Sequence, residues 1–322
     1  MMISVLMITY NHQRFIAQAI ESVLMQRTSF NIELIIGDDC STDDTRKIID
    51  HYCRDNPGRI KKLYRDKNVG GVRNFVEAYQ ACAGRYIATL DGDDYWTDPE
   101  KLQIQVDALE AHPDWAICFH PVTLTFEDGR SPIPQFLPSR CRSEFVDLAS
   151  IVQRNPIQKS SCVFRNRLIQ EFPQWLYSLP VGDWALHVMN ARHGVAGFID
   201  RNMAVYRIHA GSQWSSANEI SKAQGIINAL RCFRSFLGPS YWPLLQIPLA
   251  EAQAEVDLLQ GKICLERRDF TSAIKLLGNA NKFFRRPKLK FAILGLRTVP
   301  RLTRLGTIIW REFIDRPNSA TQ

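Results

Sequence analysis

Three carboxylates crowd around one glycine at Asp91-Gly92-Asp93-Asp94, directly behind the greasy, β-prone run Tyr86-Ile87-Ala88-Thr89-Leu90. Unpaired charges at the end of a buried strand repel one another and resist desolvation, so a cation is expected beside them. Hard oxygen ligands of this kind suit Mg²⁺ or Mn²⁺, often shared with the phosphates of a substrate. Asp91 and Asp93 stand two residues apart and face the same side of an extended backbone. A D-x-D triplet by itself reads equally well as a solvated acidic turn. Its position after a strand, and the segments upstream of it, favour the metal.

Two upstream segments share the design. Ile3-Ser4-Val5-Leu6-Met7-Ile8-Thr9-Tyr10-Asn11 is a near-continuous apolar run ending in polar groups, followed by a helical pattern from Arg14 to Gln26. Ile32-Glu33-Leu34-Ile35-Ile36-Gly37-Asp38-Asp39 repeats the form, and Ser41-Thr42-Asp43-Asp44 offers N-cap chemistry to a helix running to about Arg54. Apolar runs alternating with helices predict parallel strands buried on both faces. In open α/β sheets, ligands bind beyond the carboxyl ends of the strands. Thr9, Asn11, Asp38, Asp39, Asp91 and Asp93 all stand at such ends, so three strand tips are expected to converge on one cleft.

These residues resemble a known family. Thr9-Tyr10-Asn11, Asp38-Asp39-Cys40-Ser41-Thr42-Asp43, Asn68-Val69-Gly70-Gly71 and Leu90-Asp91-Gly92-Asp93-Asp94 closely resemble the N-terminal half of family 2 glycosyltransferases of the GT-A fold. Gly182-Asp183-Trp184 and Tyr206-Arg207-Ile208-His209 look like the acidic and R-x-H motifs of the same family, and order and spacing agree across roughly residues 1–215. Cys40 departs from the family's usual glycine or small turn residue, and Gly182 stands where many members carry glutamate.

The resemblance implies an α/β, Rossmann-like, mostly parallel GT-A sheet in residues 1–215. Residues 1–98 would form a nucleotide-binding half and 99–215 an acceptor half, with a helical region in 216–322. It implies an inverting transfer of sugar from a nucleoside-diphosphate sugar, UDP-linked by preference, to a hydroxyl of a glycan or lipid-linked acceptor of surface-polysaccharide type. A divalent ion, Mn²⁺ or Mg²⁺, would neutralise the departing diphosphate, held by Asp93 with Asp91 and His209. Asp39, and less directly Asp38, are carried over to the base and ribose, with Thr9 on the same nucleotide. Asn11, Asn68, Arg73, Asn74, Asp91, Gly92 and Arg207 complete the donor-binding set. Asp183 matches the family's base, which takes the acceptor hydroxyl proton opposite the leaving group. Plainer readings stand beside these: Asp183 as a helix cap, Arg73 as a surface cation, His209 as a hydrogen-bonded structural histidine. Trp184 lines a sugar pocket or belongs to the core, and His12 is expected to be structural.

Composition fits a soluble cytoplasmic enzyme. At 322 residues, 45% hydrophobic and 23% charged, the chain can bury one large core and carry an appendage. Its eight cysteines, at 40, 53, 82, 118, 141, 162, 232 and 264, include no C-x-x-C pair, so reduced thiols are expected rather than a zinc site. Ile3 leads straight into a strand, so no leader is expected, and no run reaches the roughly 18 apolar residues of a spanning helix. From Lys282 to Arg316 ten basic residues face two acids, a balance of +8, interleaved with Phe283, Phe284, Phe291, Leu294 and Trp310. Such a tail suits an anionic membrane surface at the inner face of the cell membrane, or a helix packed on its own protein. No recognition motif accompanies the charge, which speaks against nucleic acid. A homo-oligomer is compatible with this reading.

Residues 258–277 resemble one tetratricopeptide-type helix pair and are expected as a helical hairpin against the catalytic domain rather than an array. Gly129–Arg142, with Pro132, Pro134 and Pro138, reads as a loop over the acceptor groove. Two rival functions remain at this point. A nucleotidyltransferase also binds nucleotide and metal on an α/β sheet, but Asp183 and Arg207-Ile208-His209 argue against it. A non-catalytic binding or scaffold protein is opposed by the intact Asp39, Asp93 and Asp183.

Overall fold

The computed structural model describes residues 2–138, 144–180, 182–212, 214, 217–286 and, beyond these, 289, 290, 293, 294 and 296. The chain divides into two compact units, residues 1–216 and 217–322.

The first unit runs β1 (Met2–Thr9), α1 (Ile16–Leu24), β2 (Asn31–Asp38), α2 (Thr45–Asp55), β3 (Ile60–Tyr64), α3 (Gly71–Gln80), β4 (Tyr86–Asp91) and β5 (Tyr95–Trp96). It continues through α4 (Lys101–Ala111), β6 (Trp115–Phe119), β7 (Val122–Phe126), β8 (Ile133–Phe136), β9 (Phe145–Val146) and α5 (Leu148–Gln153). A single 3-10 turn at Lys159–Ser161 leads into β10 (Val163–Arg165), then α6 (Gly182–Ala191), β11 (Val195–Phe198) and β12 (Ala204–Ile208). Eight strands form one sheet in the order β3-β2-β1-β4-β10-β6-β11-β9, in which β9 and β10 alone oppose the common direction. This is the mostly parallel α/β sheet of the GT-A fold.

The apolar runs go where their composition demands. Ile3, Val5, Leu6 and Met7 of β1 and Tyr86, Ile87, Ala88 and Leu90 of β4 are fully buried. A side chain of this kind contributes roughly 1.5–3 kcal/mol on leaving water, so the central strands anchor the unit. Their register levels the polar ends: Thr9 pairs with Asp38, and Ile8 with Asp91. A second sheet, β5-β12-β7-β8, lets β12 run antiparallel to the two-residue β5 just past the acidic turn. That return brings Arg207 and His209 back to the tip of β4.

Two local expectations change and one is narrowed. The helix after β1 is shorter than its apolar period, spanning Ile16–Leu24. Capping ahead of α2 is done by Asp43, which accepts from the Thr45 N–H at 3.0 Å, while Asp44 makes no side-chain cap. Part of the expected loop at 129–142 is strand: β8 pairs antiparallel with β7, its Pro134 sitting on the sheet's outer strand where a missing N–H costs least.

The second unit holds α7 (Glu219–Leu237), α8 (Trp242–Glu266) and α9 (Phe270–Phe284), with α8 packed on both other helices. Asp269 caps α9 through the Ser272 N–H. Gly261 permits the closest approach in the hairpin, since a Cβ there would stand 2.7 Å from Leu277 Cδ2. Most of the basic tail, including all of 297–322, lies outside the described residues. No helix among the described residues is long and apolar enough to cross a membrane.

Candidate active site

The tips of β1, β2 and β4 carry the expected side chains, but they divide the work unevenly. Asp39 is buried and accepts from the backbone N–H of Val69 at 2.7 Å and of Gly70 at 2.9 Å, tying the Asn68–Gly71 loop to β2. Gly70 takes φ +87°, a left-handed backbone that favours glycine, and Asn68 accepts from its N–H at 3.2 Å. Asn11, itself at φ +56°, accepts from the Thr42 N–H at 2.8 Å and so joins the loops after β1 and β2. Cys40 has φ +64°, which accounts for the small turn residue usual at this position.

Two residues expected on the donor face elsewhere. Asp38 is fully buried and accepts from Ser41 and from Arg46, so its carboxylate is consumed inside the fold. Asn74 is likewise buried, donating to the Gly37 carbonyl at 2.8 Å and accepting from Arg65 at 3.1 Å. It seats α3 on β2. Both side chains are engaged inside the fold, so a donor contact would have to share them with these partners.

At β4 the three carboxylates can each turn one oxygen to within 4.8 Å of the others. Asp91 pairs with Lys159 at 2.5 Å. Asp93 lies 3.1 Å from His209 Nε2 and 3.7 Å from His12 Nε2. Asp94 accepts from the Arg207 backbone N–H at 2.9 Å. Burial raises the pKa of Asp91 and, most of all, of Asp94, where the neighbouring carboxylates add to the rise. Burial also works against Asp93, but the His209 hydrogen bond and the adjacent imidazoles outweigh it and hold this carboxyl below its ordinary value. Asp93 is therefore the carboxyl of the cluster that ionises most readily.

These donors fit a divalent ion. An octahedral ion with bonds of about 2.1 Å holds neighbouring ligands about 3 Å apart, close to the 3.1 Å between Asp93 Oδ2 and His209 Nε2. Gly211 donates to His209 Nδ1 at 3.2 Å, so in the free protein the ring proton sits on Nε2, toward Asp93. His12 faces Asp93, and its buried Nδ1 has no partner. Gly92 fits closely between them: a Cβ would stand 2.7 Å from Thr9 Oγ1 and 3.0 Å from His12 Nδ1. Arg207 does not stand open to solvent. Its guanidinium donates to the Asp93 carbonyl and to Gln18, and lies 4.5 Å from the Tyr95 ring centre and 5.1 Å from that of Phe15.

Asp183 sits in the first turn of α6, partly buried. Burial raises its pKa, and the charge of Lys159 pulls it back. Asn155 Nδ2 approaches it at 3.4 Å, while Asn155 Oδ1 meets His187 Nδ1 at 3.0 Å. His187 is wholly buried and its pKa is pushed down to about 3, so the ring is neutral and donates to Asn155. Gly182 has a physical reason: a Cβ there would come within 2.9 Å of Val72 Cγ2 at the start of α3. Trp184 belongs to the core, 6% exposed, with its indole N–H on the Ile151 carbonyl at 2.7 Å. Arg73 is exposed, 5.1 Å from the Tyr177 ring centre.

Lys159, Asn155 and His187 carried no sequence signal, because each stands outside any motif. Only the antiparallel insertion of β10 beside β4 brings the turn before it to the D-x-D tip.

A family model for glycosyl transferase family 2 matches residues 4–169, just over half of the chain. An uncharacterized protein of Mycobacterium tuberculosis is 39% identical over 215 residues, which are 66% of this chain and 61% of that protein. The crystal structure of Staphylococcus aureus TarS 1–349 in complex with UDP-GlcNAc superposes with a TM-score of 0.59 at 19% identity, covering 96% of this chain and 88% of that one. The mannosyltransferase PcManGT of Pyrobaculum calidifontis, in complex with GDP-Man and Mn²⁺, gives 0.58 at 16% identity, covering 97% and 84%. At these identities the structural likeness concerns the fold alone.

Proposed function

We propose that this chain, which belongs to glycosyl transferase family 2, transfers a sugar from a nucleoside-diphosphate sugar to an acceptor hydroxyl by a single inverting displacement. One observation carries the proposal: a D-x-D cluster with an adjacent histidine at one strand tip, and a partly buried carboxylate, Asp183, within reach of the charge of Lys159, which itself pairs with Asp91.

Asp93 with His209, and Asp91 once released from Lys159, would hold a divalent ion. Bound there, the ion would supply positive charge to a departing diphosphate. The rest falls to the chain's own residues. Thr9 and the Asp39-anchored loop at Asn68–Gly71 form the floor for the nucleotide, and Arg73, Asn11 and Gly92 border it. Arg207 holds the backbone of the acidic turn in place through the Asp93 carbonyl. Asp183 accepts the proton of the acceptor hydroxyl as that oxygen attacks. Asn155, oriented by neutral His187, fixes the carboxylate's direction.

Uridine diphosphate is the preferred nucleotide in this reading. The TarS structure contains UDP-GlcNAc, although the mannosyltransferase of the same fold holds GDP-Man. The acceptor is a glycan or lipid-linked saccharide, and the basic tail would bring the protein to the anionic membrane that carries it. A panel of nucleotide sugars scored by Mn²⁺-dependent thermal shift tests the donor side. A clear preference for guanosine diphosphate over uridine diphosphate would overturn the choice of base.

A further inference from the structure

The proposed displacement leaves a gap that has to hold the transferred sugar. Its leaving diphosphate belongs at Asp93, its base is Asp183, and the anomeric carbon must lie between them. Lys159 is tied to the acidic turn on one side and acts on Asp183 on the other. Lys159 Nζ bonds Asp91 at 2.5 Å, lies 5.4 Å from the centre of the Phe75 ring, and lowers the pKa of Asp183 by its charge.

The protein holds this lysine with unusual firmness. Three consecutive carbonyls of its turn accept from buried side chains: that of Lys159 from Thr89 Oγ1 at 2.6 Å, that of Ser160 from Trp96 Nε1 at 2.9 Å, and that of Ser161 from Gln105 Nε2 at 2.9 Å. All three donors are 0–1% exposed. A backbone fixed this way places the ammonium group reproducibly and leaves only the side-chain stem free to adjust. An ammonium carries three N–H donors, and Asp91 uses one.

We infer that Lys159 is a donor-recognition residue that hydrogen-bonds the transferred sugar itself, and not the nucleotide. The assignment rests on the glycosyltransferase reading above. It gives the site a feature beyond the D-x-D motif: a cationic donor aimed at the sugar's hydroxyl edge, so that a nucleotide sugar gains affinity over the bare diphosphate here.

Calorimetry on the full-length chain in Mn²⁺ tests it, with UDP and with whichever of UDP-glucose, UDP-N-acetylglucosamine, UDP-galactose or GDP-mannose the wild type binds most tightly. GDP replaces UDP if that ligand is GDP-mannose. Losing one charge-assisted hydrogen bond should weaken nucleotide-sugar binding by about tenfold or more. Lys159→Met is expected to show that loss while its affinity for the free diphosphate in saturating Mn²⁺ does not fall by more than about twofold, and Lys159→Arg should recover part of it. Equal weakening of both ligands would assign Lys159 to the phosphates. No change in either would make it only the partner of Asp91. Either result overturns the inference. Lys159→Gln, which keeps a neutral donor, answers the same question if the methionine variant is poorly folded. Failure of the wild type to bind any nucleotide ligand would instead remove the glycosyltransferase reading on which the inference stands.

Discussion

Burial and a lysine pull Asp183 in opposite directions, and burial wins, so the carboxyl keeps its proton above the ordinary range. A base works only when deprotonated. Turnover should therefore climb as pH rises through this displaced pKa and level off above it. Asp183→Asn should lose roughly 10²-fold or more in turnover and flatten that acid limb, with donor affinity nearly unchanged. A variant that keeps turnover but loses donor binding would show that Asp183 is not the base. Asn155→Ala removes a donor that favours the ionised carboxylate, so the acid limb should move to higher pH; an unmoved limb would reduce Asn155 to packing. Asp183 was readable in the sequence only through its motif, since a first-turn carboxylate is otherwise a cap. Asn155 and His187 were not readable, because their hydrogen bond joins a loop to a helix 32 residues further on.

Elements read well where an apolar run ends in polar groups. β1, β2 and β4 follow that rule, and their tips lie level as the pattern required. Gly92→Ala tests the closeness of those tips: a Cβ near Thr9 and His12 should disturb the acidic turn and weaken Mn²⁺-dependent nucleotide binding at least tenfold, read by calorimetry. Unchanged affinity would mean the turn has slack. β8 was misread because prolines signal loops, yet an outer strand tolerates them. Lys101 was invisible for a different reason. A lysine in the first turn of a helix normally lies in water, but here it is fully buried, 2.6 Å from Gln105 Oε1 and 4.3 Å from the Trp96 ring centre. Burial lowers its pKa to about 7. Between that value and an unfolded pKa of about 10.4 the unfolded chain binds more protons, so this lysine makes stability rise with pH across the window. Thermal melts from pH 7 to 10 should show Lys101→Met lacking that rise relative to wild type. The two curves running parallel would contradict a buried neutral amine.

At the scale of the whole molecule, every proposed site residue lies in residues 1–216, while the strongest charge lies beyond 281. Each basic residue near an anionic surface contributes on the order of 1 kcal/mol, so ten of them are ample for retention. A chain cut after Asn281 should lose co-sedimentation with anionic liposomes at low salt yet still bind nucleotide sugar; full-length and truncated chains sedimenting alike would remove the membrane reading. The helical character of the C-terminal region was legible in the sequence, where strand motifs stop near residue 208 and helical patterns take over. The donor sugar and acceptor were not, because they depend on cleft shape and on single residues such as Lys159. The central claim is that Asp93 anchors a divalent ion that in turn holds the donor diphosphate. Titration calorimetry of UDP into the full-length protein tests it most directly, in Mn²⁺ and in EDTA, for wild type and Asp93→Asn. Binding by wild type in Mn²⁺, weakened at least about tenfold both by EDTA and by the substitution, is the expected result. UDP binding equally well in EDTA, or to Asp93→Asn, would contradict it.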